Sequence, residues 1–87
     1  MEVNWKDHIM VNPNICHGRP CIRGTRIWVS LILDLLASGS SSNEILQEYP
    51  QLRLEDIQAC IGYGAETTRE RFIPITVEGL VNEIQIG

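Results

Sequence analysis

Residues 15–36 read I-C-H-G-R-P-C-I-R-G-T-R-I-W-V-S-L-I-L-D-L-L. The first half sets Arg19, Arg23 and Arg26 among turn-forming residues, and the second half is the most apolar run in the chain. Across residues 27–38 the polar exceptions Ser30, Asp34 and Ser38 recur every four positions. They form one narrow stripe on an α-helix and leave the rest of its circumference apolar. Such a helix is expected to be central and covered on several sides, with Gly39 supplying its C-terminal stop.

Towards the N-terminus, Ile9 and Val11 suggest a short strand stopped by the turn signal Asn12-Pro13-Asn14. A second extended piece over residues 19–23 follows the His17-Gly18 corner. Strand alternation would place Arg19, Cys21 and Arg23 on one face and Pro20 and Ile22 on the other. Pro20 cannot donate to a ladder, which marks an edge or irregular strand. Gly24 allows a sharp bend into the apolar helix.

Towards the C-terminus, Ser41-Ser42-Asn43-Glu44 matches a capping box and opens a short helix that turns Ile45, Leu46 and Tyr49 inward. That helix must end before Pro50. Residues 50–53 lead to a third helix whose face runs Leu54, Ile57, Cys60, Ile61 and Gly64, with Glu55 and Asp56 at the positive end of its dipole. Gly62 and Gly64 each cost about 1 kcal/mol relative to alanine inside a helix. Close packing by another backbone is the expected reason for them, with a weak helix as the alternative. The helix is expected to reach about Arg71 and to stop at residues 72–74. Residues 75–77 suggest a short strand, and residues 80–86 form a mildly apolar tail.

The expected fold is therefore mainly α: a three-helix, helix-turn-helix domain with a short N-terminal β-hairpin or arm. Residues 1–87 make one domain, with the β-arm at 8–27, the helical core at 28–72 and the tail at 73–87.

The chain has 87 residues, 44% of them apolar and 21% charged, as suits one small globular domain near the size at which a core just suffices. Help from a second copy, as a homodimer, is expected. The net charge of −4 excludes binding nucleic acid through the surface as a whole. Residues 15–30 nevertheless carry +3 from their three arginines, while residues 31–52 carry −3 from Asp34, Glu44 and Glu48. Any contact with nucleic acid must be local. The first residues lack a basic segment followed by an apolar one, and no apolar run approaches 18 residues, so a soluble cytoplasmic protein with no membrane association is expected. Cys16, Cys21 and Cys60 are odd in number and lack zinc-site spacing, which fits reduced thiols without a metal or other cofactor.

The runs N-P-N-I-C-H-G-R-P-C-I-R-G-T-R-I and S-G-S-S-S-N-E-I-L-Q-E-Y-P-Q-L-R-L-E-D-I-Q-A-C-I-G-Y resemble the small prokaryotic family called domain of unknown function 433. The resemblance spans about His8 to Tyr63 and rests mainly on G-R-P-x-I-R-G-T-R. It implies a homeodomain-like or winged-helix-like fold and the antitoxin role of a type II toxin–antitoxin pair, often beside a PIN-domain nuclease toxin. Arg53 departs from the family's usual Ser/Thr N-cap, Gly62 and Gly64 from common alanines, and Trp28 from a frequent proline.

Arg19, Arg23, Thr25 and Arg26 are the candidate DNA-binding residues, since guanidinium groups pair with phosphate and read guanine. The structural alternative is that the arginines pair with Asp34, Glu55 or Asp56 and staple the hairpin to the helices. The recognition-helix position presents Glu55 and Asp56, which repel phosphate, so the arginine segment would lead any contact with operator DNA. Trp5, Tyr63 and Phe72 are candidate contacts for a partner such as a cognate toxin. Trp5 precedes the folded pattern, whereas Trp28 is expected in the core. His17 beside Cys16 has no orienting carboxylate at defined spacing, so no enzymatic role is expected; Cys21 and Cys60 are expected to be core and His17 a turn residue. A protein-interaction or dimerisation module that does not bind DNA is the alternative function.

Overall fold

The computed structural model describes residues 3–70. The features expected beyond residue 70, namely the helix stop, the second strand, the tail and Phe72, lie outside the described residues. Within them stand a two-stranded antiparallel hairpin and three helices, as the apolar periodicity demands. Strand β1 (Ile9–Met10) pairs with β2 (Cys21–Ile22), Ile9 opposite Ile22 and Met10 opposite Cys21.

β2 is not the edge that Pro20 suggested. Its other side is occupied by residues 27–29: Ile22 N–H donates to the Ile27 carbonyl at 2.9 Å and Val29 N–H to the Pro20 carbonyl at 3.1 Å. Pro20 lies just before the strand and contributes only its carbonyl, so the missing N–H costs nothing. With pairing on both sides, Cys21 and Ile22 are both buried, at 0% and 1% exposure, and strand alternation does not separate inside from outside here. The bend back is made by Gly24 at φ +82° and by Thr25, whose hydroxyl donates to the Ile22 carbonyl and accepts from Ile27 N–H.

Between the strands, Asn12 closes an Asx turn by accepting Asn14 N–H at 2.8 Å. Three consecutive left-handed residues follow: Cys16, His17 and Gly18, at φ 56°, 57° and 77°. A non-glycine residue in this region costs on the order of 1–3 kcal/mol. Burial of Cys16 and the bonds Gly18 N–H to Ile15 O and Arg19 N–H to Cys16 O offset that cost.

Helix α1 (Val29–Ala37) ends at Ser38 in a Schellman motif: Gly39, at φ +102°, donates to the Leu36 carbonyl and Ser40 to that of Leu35. Among the described residues it is covered less fully than its apolar pattern suggested. Only Val29 and Ile32 are buried, Leu33, Leu35 and Leu36 are half-buried, and Leu31 is 37% exposed. Among the described residues, the elements packed on this helix are α2 and α3, with the two-stranded hairpin beside them.

Helix α2 (Ser42–Glu48) carries both bonds of the capping box, Glu44 N–H to Ser41 Oγ and Ser41 N–H to Glu44 Oε1. Helix α3 (Leu54–Glu70) lacks a side-chain cap from Arg53; Asp56 takes over by accepting Arg53 N–H at 2.9 Å. Its buried face is Ile57, Ala59 and Cys60, rotated from the expected one. Leu54 and Ile61, counted inward from the sequence, stand 46% and 50% exposed on the flank. The core joins Ile9, Ile22, Ile27, Val29, Ile32, Ile45, Leu52, Ile57, Ala59 and Cys60.

Gly62 and Gly64 face side chains, not another backbone. A Cβ on Gly62 would stand 3.6 Å from Trp5, and one on Gly64 3.3 Å from Leu33 Cδ1. Trp5 does not precede the folded part: a 3-10 turn at Trp5–Asp7, capped by Asn4, lays its ring on α3. Among the described residues no helix is long and apolar enough to cross a membrane.

Candidate functional site: an arginine and tryptophan surface

The hairpin bend gathers the candidate residues but gives them different tasks. Arg23 is turned onto the backbone: its Nε donates to the Asp7 carbonyl at 3.3 Å, and its Nη2 to the carbonyls of Lys6 at 3.3 Å and Ile9 at 3.2 Å. It staples the N-terminal 3-10 turn to the hairpin through carbonyl oxygens, so the expected acidic partners are not the ones it uses. Thr25 likewise spends its hydroxyl inside the bend. Among the described residues the ion pairs join His8 to Asp56 and Arg69 to Glu66, so none of Arg19, Arg23 and Arg26 pairs with a carboxylate.

Arg19 and Arg26 remain exposed. Arg19 follows the left-handed turn, and Cys21 bridges Trp28 across the bend, which brings the two side chains together. The guanidinium carbon of Arg19 lies 4.9 Å from the Trp28 ring centroid, while His17 meets the same ring edge-on at 6.4 Å and 81°. Trp28 is thus half-buried and serves as a platform; it is not part of the core as its apolar neighbours suggested. A cation–π contact of this kind contributes about 0.5–1 kcal/mol at an exposed site and restrains the guanidinium over the ring.

Beside this platform opens a cleft of about 140 Å³, lined by Pro20, Val29 and Leu33, by Tyr63 and Gly64 of α3, and by Arg19. Trp5 and Tyr63, both expected at a partner interface, meet each other in a T-shaped contact at 5.0 Å and 78°. Sequence reasoning missed the cleft because it depends on Gly64 leaving room against α1. It also missed the bond between His8 Nδ1 and Asp56 Oδ1 at 3.0 Å, which ties the N-terminal segment to the start of α3.

The cysteines are buried thiols. Burial raises the pKa of Cys21, the neighbouring Cys16 raises it further, and Arg26 offsets part of the effect. Burial, reinforced by the charge of Asp56, pushes Cys60 up to about 12. Both stay protonated at neutral pH and are poor nucleophiles. Among the described residues no group of three or more His, Cys, Asp or Glu side chains is placed to hold a metal ion.

Residues 9–64, more than half of the chain, match the family model described as Protein of unknown function (DUF433). The chain is also similar to a crystal structure of a DUF433 member protein from Anabaena variabilis ATCC 29413, with 31% identity and a TM-score of 0.69. That similarity covers 75% of this chain and 64% of the other, just under two thirds of its length. No curated protein matches the chain.

Proposed function

The chain belongs to the DUF433 family, and on that premise we propose that it is a non-enzymatic, cytoplasmic antitoxin that binds and masks a toxin protein, of PIN-domain nuclease type. The observation that carries this reading is the apolar surface left uncovered on two helices: Leu31 on α1, and Leu54 and Ile61 on α3, at 37%, 46% and 50% exposure. Each is a large aliphatic side chain whose full burial from water contributes on the order of 1.5–3 kcal/mol, and covering the part still exposed contributes roughly half of that. A partner subunit that covers them gains what the described residues leave unused. The antitoxin class is what the resemblance of the G-R-P-C-I-R-G-T-R run implies, and the raised thiol pKa values of Cys21 and Cys60 speak against a thiol enzyme.

Operator binding is the second reading, favoured by one observation: Arg19 and Arg26 are both exposed on a chain of net charge −4. In this reading the bend that carries Arg19 and Arg26 contacts phosphate, in a symmetric homodimer. The α3 start does not lead, because Glu55 is exposed there and Asp56 is engaged by His8 and Arg53 N–H.

The test is affinity purification of the tagged chain from its own cells, with and without nuclease treatment, followed by mass spectrometry. A stoichiometric, nuclease-resistant partner that is itself a nuclease encoded beside this chain is the expected result. Recovery of the chain alone, with DNA lost on nuclease treatment, contradicts the masking role and leaves a stand-alone DNA-binding regulator.

A further inference from the structure

We infer that the cleft between α1 and α3, with Arg19 at its mouth, docks one apolar side chain of a partner polypeptide together with an acidic side chain next to it in that partner's sequence. This deepens the reading of the chain as a protein-binding module and rests on it, because it names the chemistry of the bound segment.

Three observations converge. The cleft measures about 140 Å³ and its walls are mostly apolar, including Pro20, Val29 and Leu33. A cavity of about 150 Å³ lined by aliphatic and aromatic groups suffices for a benzene-sized guest, so this one accommodates a single leucine or phenylalanine side chain. The size is set by Gly64, where a Cβ would stand 3.3 Å from Leu33 Cδ1.

The second observation is charge. Among the described residues Arg19 is the one charged residue lining the cleft, and it has no carboxylate partner there. The third is preorganisation. Its guanidinium lies 4.9 Å over the Trp28 ring, the Trp28 backbone is paired antiparallel with Cys21, and the ring meets the edge of His17. A guanidinium held in this way pairs with a carboxylate at reduced entropic cost, through its planar N–H edge. An acidic segment also suits the site better than nucleic acid does, because among the described residues the cleft walls offer phosphate no second cation beside Arg19.

The experiment is a titration of the isotope-labelled full chain, read by amide and indole NMR shifts, with acetyl-Gly-Leu-Glu-Gly-amide. The same peptide with glutamine for glutamate, and inorganic phosphate, run in parallel. The expected result is saturable shifts at Tyr63, Gly64 and the Trp28 indole with the glutamate peptide, and binding several-fold weaker with the glutamine peptide. Arg19→Gln, a surface change that leaves the core intact, should erase the difference between the two peptides while the leucine-dependent shifts at Gly64 persist. Equal binding of the two peptides by the unmodified chain overturns the inference, as does absence of shifts at Gly64 and Tyr63. A Trp28 response to phosphate but not to the glutamate peptide also overturns it and favours nucleic acid. Failure here, with a nuclease-resistant partner still recovered from cells, removes the cleft and leaves the masking role standing on Leu31, Leu54 and Ile61.

Discussion

His8 Nδ1 lies 3.0 Å from Asp56 Oδ1, across 48 positions of sequence, while the other oxygen of Asp56 accepts Arg53 N–H at 2.9 Å. One carboxylate thus caps α3 and fastens the N-terminal segment to it. Asp56→Ala removes both bonds and should lower stability by about 1–3 kcal/mol, the sum expected for a lost cap and a half-buried polar contact. Asp56→Asn keeps an acceptor for the Arg53 N–H and should recover part of the loss. Urea unfolding of the three proteins measures this, and equal midpoints for all three contradict it.

Arg23 and Arg26 sit three positions apart in one bend, yet only Arg23 is bonded to the carbonyls of Lys6, Asp7 and Ile9. Arg23→Ala should cost about 1–2 kcal/mol, toward the lower end for charged hydrogen bonds because the site is exposed. Arg26→Ala should stay within about 0.5 kcal/mol of the unmodified chain. Thermal unfolding of both variants checks the contrast, and equal losses would mean that the Arg23 staple carries no stability.

The two glycines of α3 should respond differently to a methyl group. At Gly62 the new Cβ meets Trp5 at 3.6 Å, ordinary contact, so Gly62→Ala should gain up to about 1 kcal/mol of helix propensity. At Gly64 it meets Leu33 Cδ1 at 3.3 Å and narrows the cleft, so Gly64→Ala should gain less or lose stability. Melting temperatures of the two variants decide it; a larger gain at Gly64 than at Gly62 would be the wrong order.

Cys60 links stability to alkaline pH. Its pKa stands at about 12 in the fold against an ordinary 9.0, so the folded chain keeps a proton that the unfolded chain releases. The stabilisation is complete below pH 9 and is lost as pH rises from 9 towards 12, by at most about 1.4 kcal/mol per pH unit. Unfolding of the chain and of Cys60→Ala, followed from pH 7 to pH 11, should show a shallower alkaline decline in the variant. Parallel curves would contradict the buried-thiol account.

The elements whose signals are local were legible in the sequence. The Ser41 to Glu44 capping box, the Gly39 stop, the Asn12 turn and the bend at Gly24 each depend on a few adjacent residues, and each is in place. What escaped depends on partners far along the chain. The rotation of α3 that exposes Leu54 and Ile61 goes with the placement of Trp5 and Leu33 opposite Gly62 and Gly64. The 3.6-residue period alone cannot locate that rotation, since Leu54, Ile57 and Ile61 fit one face equally well. The pairing of β2 on both sides, which overrode the edge signal of Pro20, arises from residues 27–29 folding back. The candidate arginines were found by composition, but their division into a staple at Arg23 and a stacked group at Arg19 is a matter of tertiary geometry.

The most direct test of the masking role is the affinity of the purified chain for its nuclease partner, compared with that of the Leu54→Glu, Ile61→Glu double variant by calorimetry. Both positions are about half exposed, so the variant should unfold at nearly the same urea concentration as the unmodified chain. The account predicts that affinity falls by at least about tenfold, as expected when two apolar contacts are replaced by charges at an interface. Undiminished binding by a folded double variant would contradict it.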